Sequence, residues 1–193
     1  IFVVPAKGGV PRPVVNSLRA ESNPVFSPDG KQLGFVCSGD PKDMWYGATH
    51  IAVVPLTGGA PKPLTDTLDR NVAEPRFSGD GRHVFFMIED GGNQHLARVP
   101  ADGGAVDRVV SGEREIVGYD LGPAGEIVVL EHTTQYPPEV SVARDGQLTR
   151  VTTVNDGFLK GITLGKVERF KAKSGDGTMV DGFVTLPPGY SAG

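Results

Sequence analysis

The residues able to do chemistry are few and scattered. Four histidines stand among the 193 residues, at His50, His83, His95 and His132. His50 and His95 each come just before a matching apolar phrase, "IAVVP" and "LARVP". A histidine that recurs at one point of a repeat reads as a structural position rather than a ligand. His83 follows a turn and is expected on the surface. His132, in "EHTTQYPPE", falls in an irregular stretch from which a loop could reach a cavity. Trp45 and Tyr46, in "SGDPKDMWYGATH", occupy the longest insertion between two predicted strands. Aromatic side chains on a long loop mark contacts, here with another domain first and a ligand second. Trp45, Tyr46 and His132 are therefore the candidate substrate or domain contacts.

No stretch has the spacing of a reaction centre. The chain has no G-x-S-x-G elbow, no H-E-x-x-H, no C-x-x-C and no phosphate loop. Gly8-Gly9, Gly58-Gly59 and Gly103-Gly104 recur with the repeat described below and are not followed by helical patterns, so they read as turns. Glu89-Asp90 and Asp40/Asp43 lack the spacing of a calcium loop and read as surface charge. The single cysteine, Cys37, sits in a predicted strand beside Val36 and reads as a small buried residue. One cysteine allows no internal disulfide, which leaves bacterial cytoplasm and periplasm both open. No catalytic, cofactor-binding or metal-ligating residue is expected in this chain.

The elements that position these residues are legible as repeats. "SNPVFSPDG" (22–30) and "AEPRFSGDG" (73–81) are near copies, and "LGPAG" (121–125) is a third. Ser27-Pro28-Asp29-Gly30 has the residue order of a type I turn that closes on a left-handed residue, a common hairpin connection. Aligning Gly30, Gly81 and Gly125 matches Leu33 with Val84 and Val128, and Phe35 with Phe86 and Leu130. Leu33 and Phe35 are expected to share one apolar face. A second phrase recurs out of phase with the first: "VVPAKGG" (3–9), "VVPLTGG" (53–59), "VPADGG" (99–104) and the eroded "VARDG" (142–146). Each is followed by a short strand pattern. Four strands repeating about every 43 to 51 residues is the signature of a β-propeller blade. The fold class is all-β: three full blades of four antiparallel strands, at 19–66, 70–111 and 113–153, after the last two strands of an earlier blade at 1–16. The chain opens on "IFVV" without a Met, so it reads as a piece of something longer.

Bulk properties agree with that class. A chain of this length can bury roughly 70% of its unfolded surface. The net charge of −4 and pI near 5.6 give no basic stripe for nucleic acid. No run approaches the length of a membrane span, so the chain reads as soluble. Gly 27 and Pro 16 fall at turns in register, as in a repeat protein rather than a disordered one.

After Thr153 the repeat stops. "VERFKAKSGDG" and "TMVDGFVTLPP" read as two strands across a Gly-Asp-Gly turn. Here the sequence resembles the prolyl oligopeptidase-like serine peptidases, most of all the acylaminoacyl-peptidase-like branch. Pro24–Lys31 is similar to that family's P-x-F-S-P-D-G-K blade phrase. Pro137-Pro138-Glu139-Val140-Ser141-Val142 is similar to its P-P-E-L-Y-V strand, and Val151-Thr152-Thr153-Val154-Asn155 to its L-T-x-x-N. Glu168, Ser174, Asp176, Gly177, Gly182, Pro187, Gly189 and Tyr190 match the opening of its hydrolase domain. The resemblance implies a seven-bladed propeller followed by an α/β-hydrolase domain, with residues 154–193 as linker and first hairpin of that domain. It implies a serine hydrolase of short peptides or acylaminoacyl substrates whose Ser, Asp and His lie beyond Gly193. This chain would then be its non-catalytic part, restricting substrate access. Its partners would be its own C-terminal hydrolase domain and a peptide substrate. Bare blade faces would favour self-association. The alternative is a TolB-like propeller that binds protein partners.

Overall fold

In the computed structural model, described for all residues except 40, 41, 43–45, 192 and 193, the chain is built almost entirely of antiparallel strands. A two-stranded piece, β1 (Phe2–Val3) and β2 (Arg12–Pro13), comes first. A four-stranded sheet follows in sequence order: β3 (Glu21–Phe26), β4 (Gln32–Cys37), β5 (His50–Pro55) and β6 (Lys62–Pro63). The second blade comprises β7 (Val72–Phe77), β8 (His83–Asp90), β9 (Asn93–Pro100) and β10 (Asp107–Val110). The third comprises β11 (Glu115–Leu121), β12 (Ile127–Thr133), β13 (Tyr136–Arg144) and β14 (Gln147–Arg150). One parallel bridge, Gln94 to Glu115, joins the second blade to the third. After a single helical turn, α1 (Asp156–Leu159), the hairpin of β15 (Lys166–Lys173) and β16 (Met179–Leu186) completes the chain.

The expected turns close as their residues dictate. The Gly30 N–H donates to the Ser27 carbonyl at 2.9 Å, and the Gly81 N–H to Ser78 at 2.8 Å. Both glycines have left-handed φ, +67° and +71°. In the second phrase the N–H groups of Gly8, Gly58 and Gly103 each donate at 2.8 Å to the carbonyls of Pro5, Pro55 and Pro100.

The blades stack face to face, and each interface is a separate apolar layer. Leu33, Phe35, Cys37, Ala52 and Val54 pack back on Val14 and Val15. Val36, Ile51 and Val53 meet Val84, Phe86, Ile88 and Val99. Phe85, Met87 and Leu96 meet Ile116, Tyr119, Val129 and Ala143. Leu33 and Phe35 do share a face, but the opposite face of β4 is buried as well, from Leu33 to Cys37. A sheet covered on both sides reads as a continuous apolar run rather than an alternating one.

The third blade departs from the sequence alignment by one residue. Ladder register pairs Phe26 with Leu33, Phe77 with Val84, and Leu121 with Ile127. The residues equivalent to Val84 and Phe86 are therefore Ile127 and Val129, not Val128 and Leu130. The turn before β12 is one residue shorter, and a slip of one residue reverses the face that every side chain takes. Val129 is fully buried, whereas Val128 and Leu130 lie on the outer face. The same register places Glu131 in the slot held by Ile88 and Cys37. It places Glu139 in the slot held by His95 and His50.

Candidate functional site

Two adjoining cavities lie where the hairpin β15–β16 folds back over the second and third blades. The first, about 310 Å³, has walls from both units: Asn93, Glu115 and His132 from the blades, Val167, Arg169 and Phe183 from the hairpin. The second, about 650 Å³, runs on past Gly92 and Glu115 to Asp69, Arg70, Asp90 and Tyr46.

Close backbone approach brings the hairpin down. Gly91 and Gly92 form the two-residue turn between β8 and β9, with φ of +59° and +82°. Both central residues being left-handed is the type I′ geometry that suits the strand twist. The ring of Phe183 lies 2.5 Å from where a Cβ on Gly92 would stand, and the Arg169 guanidinium 2.6 Å from one on Gly91. Arg169 is held by Asp181 across the hairpin at 2.8 Å.

Charge on this face is largely paired. Asp90 lies between Arg70, at 3.1 Å, and Arg108. Burial alone would raise its pKa, but hydrogen bonds from the two guanidinium groups hold the carboxyl below its ordinary value. Glu89 accepts the Asn71 side-chain amide at 3.0 Å. The pair expected to be loose surface charge thus ties the connection between the first two blades to β8.

His132, next to last in β12, stands opposite Glu115, its ladder partner, with Nε2 3.2 Å from the Glu115 carboxylate. Tyr46 is 95% exposed at the rim of the larger cavity. Both candidates therefore stand on the same face, in neighbouring cavities. Trp45 lies outside the described residues. Among the described residues no hydroxyl bonds to a histidine ring. Nor do the described residues bring together a cluster that could hold a metal ion. The arrangement offers an imidazole, carboxylates and a phenol that can contact a ligand.

The other histidines hold connections. His50 Nδ1 meets the Thr65 carbonyl at 3.0 Å, and His95 Nε2 meets Gly112 at 2.9 Å. Both carbonyls lie just past the fourth strand of the blade concerned. His83, expected on the surface, is half-buried, and its backbone N–H donates to the Ser78 hydroxyl at 3.0 Å.

Two buried glutamates escape a reading by motif. Glu131 accepts Arg114 at 2.9 Å, the Tyr136 hydroxyl at 2.8 Å and the Ser141 hydroxyl at 2.9 Å. These three donors explain how a carboxylate tolerates an apolar slot. Glu139 is equally enclosed. The available signal was register: both acids fall on inward positions of strands otherwise filled by Val129, Ser141 and Ala143.

The stacked four-stranded blades define a segment of β-propeller architecture. No protein-family model matches the chain. Dipeptidyl-peptidase 5 of Porphyromonas gingivalis is 22% identical over 176 residues, covering 88% of this chain and 25% of that protein. Dipeptidyl-peptidase 5 of Trichophyton equinum is 25% identical, covering 98% and 28%. The chain thus spans about a quarter of the length of the curated relatives it matches. Among solved structures, Pyrococcus horikoshii acylaminoacyl peptidase matches with a TM-score of 0.67 at 24% identity, over 82% of this chain and 24% of that one. The AtxE2 isopeptidase with astexin3-dC4 bound matches at 0.68 and 20% identity, over 100% and 30%. A putative TolB from Agrobacterium tumefaciens matches at 0.62 and 22% identity, over 77% and 55%. The resemblance to prolyl oligopeptidase-like peptidases drawn from the sequence holds in these neighbours, and the all-β blade architecture is theirs. No helix among the described residues is long and apolar enough to cross a membrane.

Proposed function

We propose that this chain is the non-catalytic propeller portion of a prolyl oligopeptidase-like serine peptidase, and that hairpin β15–β16 is the start of its hydrolase domain. The propeller restricts access, so that short peptides or acylaminoacyl substrates reach the reacting serine and folded chains do not. The observation that supports this reading is the hairpin. It follows the last blade after the connection that carries α1, and it seats Phe183 and Arg169 on Gly92 and Gly91. The match to the isopeptidase runs through the hairpin, whereas the match to TolB leaves about a quarter of the chain uncovered.

The TolB-like reading, a propeller that binds protein partners, draws its support from the blades alone. A length series separates the two. The gene product carrying these residues is offered acylaminoacyl and dipeptidyl p-nitroanilides, short peptides and an unfolded protein. The peptidase reading predicts cleavage that falls off steeply with substrate size. Equal cleavage of short and long chains contradicts restricted access, and no cleavage of any substrate favours the binding module.

A further inference from the structure

Glu139 stands on β13, 1% exposed, yet its donors come from the stretch that follows β14, the last strand of its blade. Its carboxylate accepts the Thr152 hydroxyl, the Asn155 backbone N–H at 2.8 Å and the Asn155 side-chain amide at 3.1 Å. That amide also reaches the Pro138 carbonyl at 3.3 Å. All these donors lie in the connection that leaves the third blade for the hairpin. Glu131 is the opposite case, since Tyr136 and Ser141 belong to its own blade and Arg114 to the connection entering it.

The position of Glu139 in the repeat makes the contrast informative. By ladder register it is equivalent to His50 and His95. In the first two blades that residue holds a carbonyl of the outgoing connection, Thr65 or Gly112, and the chain continues into another blade. In the third the outgoing chain continues into a hairpin. There the imidazole is replaced by a carboxylate with several donors. Hydrogen bonds to a charged acceptor are about twice as strong as neutral ones. A second tie follows farther on, where Gln135 Nε2 donates to the Gly165 carbonyl at 3.3 Å on the exposed side.

We infer that Glu139 is a positioning residue: it fixes the point at which the chain leaves the last blade, and through that point it holds hairpin β15–β16 on the blade face. The inference does not depend on the peptidase reading. The Glu139 carboxylate accepts its hydrogen bonds from Thr152 and Asn155, past β14, and not from β11–β14, so its loss should free the connection and the hairpin and leave the blade intact. A two-stranded hairpin without a packing surface is marginal in water, so a hairpin lifted from the blades loses protection.

Hydrogen exchange on the full chain tests this. In Glu139→Gln the amides of 152–159 and 166–186 should exchange about tenfold faster or more, the change expected when a hydrogen bond to a charged group is lost. Amides of β12 and β13 should keep their rates, except that of Val140, whose N–H donates to the Thr152 hydroxyl at 2.8 Å and should loosen with the connection. Adding Asn155→Asp to Glu139→Gln reverses the donor and acceptor and should restore hairpin protection. Glu131→Gln should do the reverse of Glu139→Gln, loosening β12 and β13. Unchanged hairpin exchange in Glu139→Gln would overturn the inference, and so would equal loosening of blade and hairpin. Should Glu139→Gln fail to fold, Asn155→Ala removes the amide from the connection side without touching the blade. The same pattern is then required of it, and a protected hairpin overturns the inference.

Discussion

The Tyr119 hydroxyl donates to the Glu74 carbonyl at 2.5 Å, across the interface between the third and second blades, and lies 3.0 Å from the Phe85 carbonyl. Glu74 has a left-handed φ of +52° at the bulge in β7, where the ladder register shifts. A bulge leaves its carbonyl out of the ladder, and the neighbouring blade supplies the missing donor. Arg76 caps the Tyr119 ring at 5.5 Å. Burial pushes the phenol far above its ordinary pKa, which favours the protonated, donating form.

Tyr119→Phe keeps the ring and deletes that donor. The expected cost is about 1–3 kcal/mol, the penalty for leaving a buried acceptor unpaired. For a chain of this size that lowers Tm by roughly 2–4 °C per kcal/mol. Calorimetry checks it, and a melt that coincides with wild type would mean that the bridge between blades contributes nothing.

Gly30→Val and Gly81→Val should each destabilise by about 1–3 kcal/mol, because a β-branched residue is strained at left-handed φ. Space is not the issue at Gly30, where nothing lies within 4 Å of an added Cβ. Gly118 supplies the control: its φ is not left-handed and its surroundings are open, so Gly118→Ala should melt at or above wild type. Equal behaviour of all three variants in thermal melts would remove the turn argument.

The blades were legible because their punctuation is local. A Ser-x-Asp-Gly turn is determined by four adjacent residues, so Gly30 and Gly81 could be located without knowing what they face. Residues whose role depends on register were not legible. A turn one residue shorter moved Val129 into the core in place of Val128 and put Glu131 where Ile88 stands in the second blade. His132 and Glu115 meet only because β11 and β12 pair in that register. The contact of Phe183 with Gly92 joins residues with no neighbouring sequence, and α1 is one turn with no apolar periodicity. Tyr46 and His132 were placed on one face by the fold, not by any spacing in the chain.

Glu139 sets a pH dependence. The Thr152 hydroxyl first, then the Asn155 N–H, lower its carboxyl from 4.5 to about 2. The folded value is depressed, so the stabilisation is fully present above about 4.5 and is lost as the pH falls through 2. The Tm gap between wild type and Glu139→Gln should be constant from pH 7 to 5 and shrink as pH approaches 2, where the wild-type carboxyl takes up a proton. A gap that stays constant to pH 2, or widens, would contradict the assigned hydrogen bonds.

Covalent labelling with a fluorophosphonate probe, followed by peptide mapping of the gene product that carries these residues, tests the central claim most directly. The hairpin that follows the blades is read as the start of a hydrolase domain whose reacting serine lies outside residues 1–193. The expected result is one labelled serine outside residues 1–193, and none within them. A labelled serine inside the blades or the hairpin would contradict the non-catalytic assignment. A gene product with no reactive serine at all would contradict the peptidase.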